Sequence, residues 1–297
     1  MACSVAWEFS IDDHKLTVIE VEGVPIHKYD TDMIPIHAGQ RYSFVLNTTG
    51  RYEKKNYWIR ANVPLDDTGG PIHKAYPGNA ILHYADAPNE DPTDTPPPVF
   101  QHVLREQDLK VTGKDIPEED IHREILEFNE SPNNINGTKF VNPETPVLLK
   151  ILSGVTDPRE LLPEGTIVEI PRDKVIEVVF KGLDFTRGNP HPMHLHGHTF
   201  AVTRSINQSE YNMPDSPWRD TVATSLFNPP KDRNTSEVTI RFKSDNPGPW
   251  IIHCHIDGHL ALGMAAVFAE RITEIKQNEN PPRKSYNRPG HQPSGWQ

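Results

Sequence analysis

The sequence contains only two cysteines, Cys3 and Cys254, in 297 residues. Two cysteines form at most one disulfide, so a small scaffold held together by several disulfides is excluded. The chain also lacks a run of basic residues, and its formal net charge is −11. Because a nucleic-acid-binding protein must neutralise phosphates, this charge balance argues against nucleic acid as a partner.

Long apolar runs are missing as well. The longest are far shorter than the roughly 20 residues of a membrane-spanning helix, so we predict no membrane partner. The first residues, MACSVAWEFSIDDH, contain no basic segment followed by an apolar stretch, and no signal peptide is recognisable in them. Five Asn-x-Ser/Thr sequons are typical of a secreted glycoprotein. They lie at Asn47, Asn129, Asn136, Asn207 and Asn234.

Short runs that alternate apolar and polar residues occupy much of the chain. The N-terminal third contains KLTVIEVEGV, QRYSFVLN and NYWIRANV, and the remainder contains TPVLLKILSG, GTIVEIP, KVIEVVFKG, HTFAVTRS, EVTIRF, WIIHCH and AAVFAE. A period of two is typical of β-strands. We therefore predict an all-β fold of antiparallel strands arranged as sandwiches or barrels. The best helical candidates are the short segments DIHREILEF and PRELLP.

Two stretches have the composition of connecting or terminal segments. The acidic, proline-rich stretch DAPNEDPTDTPPP predicts an extended linker, which we place at residues 89–100. Residues 276–297 are polar and rich in Pro and Asn, which predicts a flexible tail. The predicted organisation is a partial β-unit over residues 1–88, the linker, a complete β-unit over residues 101–275, and the tail.

The first of two histidine clusters is HPMHLHGHTF, residues 191–200. In an extended strand, residues two apart point to the same side and lie roughly 6.5–7 Å apart. His194 and His196 therefore project together as a pair of metal-ligand donors. His191 lies on the preceding, more irregular segment, and His198 is the most expendable of the four histidines.

The second cluster is WIIHCHIDGHLALGM, residues 250–264. The same parity places His253 and His255 on one face of a strand and the Cys254 thiol on the opposite face. One strand therefore separates two predicted metal sites.

Beyond this strand the donors continue at regular intervals. His259 and Met264 follow Cys254 at steps of five residues, in a loop that can fold back on the thiol. With His191 added, these residues provide two imidazoles, one thiolate and one thioether, the ligand set of a blue copper site. Three alternatives remain at this stage: a zinc site, a buried structural cysteine beside hydrogen-bonded histidines, and a nucleophilic cysteine with a histidine base.

Both clusters resemble copper motifs of the multicopper oxidases, in particular those of fungal laccases. HPMHLHGHTFAV is similar to the third copper motif of the family, and DNPGPWIIHCHIDGHLALGM to the fourth. FSIDDHKLTVIEVEGV, QRYSFVLN and NYWIRAN resemble the second cupredoxin domain of laccase, and TPVLLKILSG, LLP and VTIRF resemble the third. The resemblance implies cupredoxin-like Greek-key β-sandwiches, one partial and one complete.

The resemblance also implies a role for each donor. The type 1 copper ligands would be His191, Cys254 and His259, with Met264 in the axial position. The type 2 copper ligand would be His194, and the type 3 copper ligands would be His196, His253 and His255. Asp257 would serve as a supporting or proton-relay carboxylate.

The activity that this family resemblance implies is a copper-dependent oxidation. A phenolic or other aromatic reductant would give one electron at a time to the type 1 copper. The electrons would pass through Cys254 and its neighbours His253 and His255 to a trinuclear cluster, where O2 is reduced to water. An axial Met264, where many fungal laccases have Phe or Leu, implies a lower potential at the type 1 copper. The resemblance also implies a secreted protein.

The chain departs from the family pattern at several positions. Two further copper motifs of the family, His-Trp-His-Gly and His-Ser-His, are absent, so the sequence supplies four of the eight histidines of the trinuclear cluster. We therefore expect oxidase activity to need a first domain from a longer polypeptide or a partner chain. Ser4, after Cys3, stands where many laccases have a substrate-contacting acid after a disulfide-bonded cysteine. Pro64 and Leu65 replace an Asn and a Phe beside the substrate.

Two other hypotheses therefore accompany the laccase-type oxidase. The chain is alternatively an electron-transfer or copper-binding module with a type 1 copper alone. It is otherwise an inactive truncated product, because half a sandwich leaves apolar faces and strand edges uncovered.

Overall fold

The structure is a computed structural model, and it describes most of the chain. The described residues are 6–49, 55–64, 78–92, 99–115, 118–130, 133–181, 190–206, 208–213, 215–224 and 237–275. Several positions discussed above lie outside them: Cys3, Ser4, Leu65, Asn207, Asn234, residues 93–98 of the predicted linker, and residues 276–297. Within the described part, every helix is too short or too polar to cross a membrane.

The N-terminal unit consists of two antiparallel sheets. Its strands are β1 (Trp7–Ile11), β2 (Leu16–Val21), β3 (Val24–Thr31), β4 (Ile34–Ile36), β5 (Tyr42–Leu46), β6 (Asn56–Asn62) and β7 (Gly78–His83). One sheet has the order β4-β1-β6-β7 and the other β3-β2-β5. A register shift between Val18 and Glu20 changes the parity of β2, so Val21 as well as Leu16 and Val18 is buried in the core.

The C-terminal unit is larger, and its described residues form two sheets and three short α-helices. Its elements are β8 (Ile121–Glu130), β9 (Asn133–Ile135), α1 (Val147–Leu152), α2 (Pro158–Leu161), β10 (Ile167–Ile170), β11 (Val175–Lys181), β12 (Pro192–Leu195), β13 (Phe200–Arg204), β14 (Trp218–Arg219), β15 (Thr221–Ala223), β16 (Val238–Lys243), β17 (Gly248–Cys254), α3 (Asp257–Leu262) and β18 (Ala265–Glu270). The sheets have the orders β10-β18-β17-β12-β15 and β14-β13-β16-β11-β8-β9. Aromatic side chains such as Phe128, Phe180 and Phe242 fill one apolar core in this unit.

Most strand predictions are confirmed, and two local predictions are wrong. DIHREILEF, predicted as a helix, forms β8, because Leu126 and Phe128 enter the core at a period of two while Glu127 stays exposed. TPVLLKILSG, predicted as a strand, contains helix α1, which begins after Pro146 and buries Ile151. The helix predicted at PRELLP is confirmed as α2, with the Asp157 side chain accepting a hydrogen bond from the backbone N–H of Arg159.

The sheets also contain parallel pairs that alternation alone did not predict. Strand β10 runs parallel to β18, and β8 runs parallel to β11, whereas the other pairs are antiparallel. Sequence alternation shows which residues face the core, but it does not show the direction of the neighbouring strand.

The segment that follows the proline-rich stretch packs on the N-terminal unit. Leu104 and Leu109 belong to the N-terminal core, and a bridge pairs Ile26 with Val111. Glu106 of this segment also forms a salt bridge with Arg219 of the C-terminal unit, so the segment contacts both units. The boundary predicted at residue 101 remains a prediction.

Candidate metal centre

Two neighbouring strands bring the histidine clusters together. Strands β12 and β17 pair antiparallel, with Met193 opposite Cys254 and His194 opposite His253. Both lie inside the five-stranded sheet, flanked by β15 and β18. The side chains that alternate along these strands therefore form two groups, one on each side of the sheet.

The thiolate group consists of His191, Cys254 and His259. The Cys254 Sγ lies 3.6 Å from the Nδ1 of His191 and 3.5 Å from the Nδ1 of His259, and the two Nδ1 atoms are 3.0 Å apart. All three donor atoms lie within 4.8 Å of one another, close enough to share one metal ion. Cys254 and His191 are almost fully buried, so a bound ion would be shielded from water. The prediction that these three residues converge is confirmed.

A short helix, rather than the loop predicted from the sequence, carries His259 towards the thiol. Helix α3 spans Asp257–Leu262 and ends at Gly263, whose φ of +111° lies in the left-handed region. The backbone N–H of Met264 then donates to the His259 carbonyl, and the Met264 carbonyl accepts from the N–H of Cys254. Met264 is fully buried in the same core as Cys254. A left-handed glycine is a common way to end a helix and reverse the chain.

The four-histidine group consists of His194, His196, His253 and His255. The ring centroid of His194 lies 4.8 Å from the ring centroid of His196. It lies 5.6 Å from the ring centroids of both His253 and His255. The Nε2 atoms of His196 and His253 are 3.2 Å apart. When two nitrogens each bind the same ion at about 2 Å in tetrahedral geometry, they lie roughly 3.3 Å apart, which is close to this separation. The four predicted donors therefore form one cluster.

Hydrogen bonds to the backbone determine which ring nitrogen faces a metal in two of these residues. The Nδ1 of His253 donates to the Cys254 carbonyl at 2.9 Å, and the Nδ1 of His194 donates to the Asp220 carbonyl at 2.9 Å. Each Nδ1 therefore carries a proton, and in the neutral form of each ring the Nε2 is the nitrogen that can bind a metal. The Nδ1 of His255 is buried and has no hydrogen-bond partner among the described residues, so this ring has an unsatisfied nitrogen that a ligand could engage.

Burial and neighbouring groups shift the histidine pKa values in opposite directions. Burial lowers the pKa of His253 to about 4, and burial together with the His194 and His255 rings lowers the pKa of His196. Burial also acts to lower the pKa of His194, but hydrogen bonds and charge from Asp220 outweigh it and raise this pKa. His253 and His196 are thus neutral near pH 7, as metal ligands must be.

The donor chemistry of both groups fits a transition metal. Two imidazoles and a thiolate, with a buried thioether nearby, resemble the ligands of a type 1 copper site. Imidazole-only donors such as the four-histidine group suit copper or zinc. A structural cysteine with incidental histidines does not explain three donor atoms directed at one point, and no described cysteine other than Cys254 is present to complete a cysteine-rich zinc site.

Two residues of the histidine-rich sequence segments, His198 and Asp257, do not belong to either donor group. The Nε2 of His198 lies 2.7 Å from the Glu270 carboxylate, and its ring packs against Phe242, so it holds the sandwich together rather than joining the cluster. Asp257 is exposed in the first turn of α3, and its role as a proton relay remains a prediction.

Sequence patterns missed the residues of the N-terminal unit that border the four-histidine group. The Gly39 backbone presses against the His255 ring, since a Cβ at Gly39 would lie 2.5 Å from the His255 Cδ2. Glu22 and Arg41 bind the segment of residues 219–221, which in turn contacts His194. No sequence signal could have identified them, because Glu22 and Arg41 are charged residues beside strands and read as ordinary surface positions.

Comparison with protein families identifies one family for both units. Residues 1–87 and residues 140–274 each match a protein-family model described as "Multicopper oxidase". The chain is 43% identical over 285 residues to Laccase-2 of Pleurotus ostreatus, covering 93% of this chain and 51% of that protein. It is 41% identical over 296 residues to Laccase-2 of Trametes villosa, covering 97% and 54%. The chain therefore spans about half the length of the curated relatives it matches.

A solved structure gives the same result for the fold. The crystal structure of the laccase from Botrytis aclada matches with a TM-score of 0.70 and 28% identity, covering 92% of this chain and 50% of that one. This likeness confirms the predicted fold class, in which mostly antiparallel β-sheets form cupredoxin-like domains.

Proposed function

Since this chain belongs to the multicopper oxidase family, we propose that it provides the type 1 copper site and half of the trinuclear copper cluster of a laccase-type oxidase. One observation carries this proposal: the Cys254 Sγ and the Nδ1 atoms of His191 and His259 converge in a buried site. Copper bound there would exchange single electrons with a reductant. The proposed reductant is a phenol or another aromatic compound, and the proposed oxidant is O2.

Four residues would hold the type 1 copper. His191, Cys254 and His259 are the close ligands, and Met264 is the proposed axial ligand, because its side chain is buried in the same core. The chain makes this site from a single unit, with Cys254 and Met264 linked by a backbone hydrogen bond. Burial disfavours the charged form of a thiol, so a cation bound by Cys254 would stabilise its thiolate form.

The chain itself supplies a path between the two groups. Cys254 is covalently bonded to His253 and precedes His255, and the rings of these histidines lie 5.7 Å apart in the four-histidine group. In this proposal His194 is the type 2 copper ligand, and His196, His253 and His255 are type 3 copper ligands. An electron accepted on the thiolate side needs to cross only a few covalent bonds to reach the other group. Asp257 is proposed as a residue that moves protons near this path.

Reduction of O2 needs additional ligands. The trinuclear cluster of the family has eight histidines, and the two motifs of this chain provide four of them. We propose that the other four come from a further domain of a longer polypeptide or from a partner chain. Secretion of the protein is proposed from its similarity to fungal laccases, and the sequons agree with it.

Copper loading of the full chain tests the proposal. The protein would be loaded with Cu(II) and measured for copper per chain, for visible absorption and for O2 uptake with a phenolic reductant. We expect an intense blue thiolate-to-copper band and no sustained O2 uptake by the chain alone. Absence of the blue band from a folded, copper-loaded protein would contradict the type 1 assignment.

The same measurement distinguishes the alternative functions. One copper per chain with a blue band, and no metal bound by the four-histidine group, would favour an electron-transfer module. Four coppers per chain with O2 uptake would contradict the half-cluster part of the proposal.

A further inference from the structure

The tip of the β2–β3 hairpin carries a buried carboxylate in a strained conformation. Glu22 and Gly23 form the two-residue turn between the paired residues Val21 and Val24, and their φ values are +50° and +83°. Asn, Asp or Gly usually occupies such a turn, because the left-handed region is unfavourable for other residues. The Glu22 side chain is nevertheless fully buried. Strain at a buried charged residue points to a specific role for its contacts.

Glu22 binds the C-terminal unit at three points. Its Oε1 accepts a hydrogen bond of 2.7 Å from the Nη2 of Arg219, whose side chain is also fully buried. Its Oε2 accepts hydrogen bonds from the backbone N–H groups of Asp220 at 2.6 Å and Thr221 at 2.9 Å. Charge-assisted hydrogen bonds of this kind, made away from water, hold the segment of residues 219–221 in one position.

Arg41 forms a second connection to the same segment. Its Nη1 and Nη2 donate to the Asp220 carboxylate at 3.0 and 2.6 Å, and its Nη1 also donates to the Gly39 carbonyl at 3.0 Å. Gly39 lies against the His255 ring. Arg41 therefore joins the segment of residues 219–221 to the backbone that borders His255.

This segment makes the hydrogen bonds that orient His194. The Nδ1 of His194 lies 2.9 Å from the Asp220 carbonyl and 3.0 Å from the Thr221 Oγ1, and Thr221 pairs with His194 between β15 and β12. A shift of the segment would rotate the ring or change which nitrogen carries the proton.

We infer that Glu22, together with Arg41, is a positioning residue for the four-histidine group and acts across the contact between the two units by orienting His194. The inference rests on the proposed function for the identity of the metal, whereas the orientation of His194 is a property of the metal-free chain. Residues that orient metal ligands typically change metal affinity by 10- to 100-fold when they are replaced.

A matched pair of variants of the full chain tests this inference. Glu22→Gln removes the charge while nearly keeping the side-chain shape. The control is Glu177→Gln, because Glu177 is also fully buried and bridges Arg123 and Arg241 in the six-stranded sheet. Affinity for Cu(II) would be measured by competition with a chelator, and the blue band would report the thiolate group separately. We expect about a 10-fold or larger loss of affinity for non-blue copper in Glu22→Gln, with an unchanged blue band.

Measurements on the metal-free protein provide a second readout. We expect faster hydrogen exchange at the Asp220 and Thr221 amides in Glu22→Gln, and a changed ¹⁵N signal of the His194 ring. If Glu22→Gln does not fold, Arg41→Gln replaces it, because the Arg41 side chain is 54% exposed and tolerates substitution. Wild-type affinity and an unchanged His194 signal in the folded variant would overturn the inference, and so would an equal loss in Glu177→Gln. A wild-type chain without a blue band would contradict the proposed function, while the His194 signal would still test the positioning role.

Discussion

The thiolate group and the four-histidine group lie on opposite sides of one strand, yet they are supported in different ways. The ligands and backbone contacts of the thiolate group come from the C-terminal unit, through β17, α3 and the residue that precedes β12. The four-histidine group borders Gly39 of the N-terminal unit and depends on a segment bound by Glu22 and Arg41. The thiolate group is therefore formed within a single fold unit, and the four-histidine group depends on the contact between two units.

Adjacent metal sites in one chain therefore need not be equally robust to substitution. A site made within one core keeps its geometry as long as that core folds. A site at a contact between units also responds to every change in how the units meet, because interdomain contacts are smaller and more polar than cores. Variants that affect one group and spare the other can test this difference.

The largest expected effect is complete loss of the blue band in Cys254→Ser. A serine hydroxyl does not replace the thiolate as a copper ligand, so the charge-transfer band disappears. Non-blue copper binding by the four-histidine group should remain close to that of the wild type. Visible absorption and electron paramagnetic resonance of the copper-loaded chain measure both properties. Cys3→Ser is the matched control and should keep the band; a blue band that survives in Cys254→Ser would refute the ligand assignment.

A smaller effect, confined to the other group, is expected for Gly39→Ala. The new Cβ would lie within 2.5–3.0 Å of the His255 ring, so the ring or the loop must move. We expect weaker binding of non-blue copper by about 10-fold, with the blue band unchanged.

The control for this substitution is Gly113→Ala. Gly113 also has a positive φ, of +69°, but its Cβ would meet nothing within 4 Å. Both variants should lose about 1 kcal/mol of unfolding free energy from backbone strain, measured by denaturant titration. Equal copper binding in the two variants would show that the Gly39 contact does not matter to the four-histidine group.

The pH dependence of the metal-free chain tests the four-histidine group without copper. Burial lowers the pKa of His253 from 6.5 to about 4, so between these values the unfolded chain binds a proton that the folded chain does not. The stability that neutral His253 provides is present above about pH 6.5 and is lost as the pH falls towards about 4. This residue should account for a decrease on the order of 2–3 kcal/mol in unfolding free energy.

Urea titrations of the metal-free protein at several pH values measure this effect. His253→Gln, which cannot titrate, should have a flatter profile over the same pH range. If wild type and His253→Gln lost stability in parallel, the acid sensitivity would have to come from other residues. His37, whose pKa burial and the Arg219 charge also lower to about 4, would be the next residue to replace.

The smallest expected effect is a change in potential without loss of copper, in Met264→Leu. Leucine fills a similar volume in the buried core but removes the thioether, so the fold and the three close ligands should be retained. Removal of a weak axial thioether should raise the reduction potential of the blue copper. A redox titration of the blue band measures it. An unchanged potential would indicate that Met264 is a core residue and not an axial ligand.

Much of the C-terminal donor arrangement could be predicted from the sequence, because strand parity is a local rule. The alternation His253-Cys254-His255 requires the thiol and the imidazoles to face opposite sides once a strand forms. Helix α3 was missed because a helix of six residues offers little periodicity to detect. Segment DIHREILEF was misassigned because Ile, Leu and Phe in an acidic segment fit a helical face as well as a strand.

The donor types, their spacing and the two faces of strand β17 follow directly from the sequence, since these depend only on residue order and backbone geometry. The family membership also follows from the sequence, over both units. The pairing of His198 with Glu270, the contact of Gly39 with His255, and the binding of residues 219–221 by Glu22 and Arg41 depend on tertiary packing. The contacts of Glu22 and Arg41 with Thr221 and Asp220 join residues 199 and 179 positions apart, and even His198 and Glu270 are 72 positions apart. They arise from how distant strands and the two units pack, and no local pattern encodes that packing.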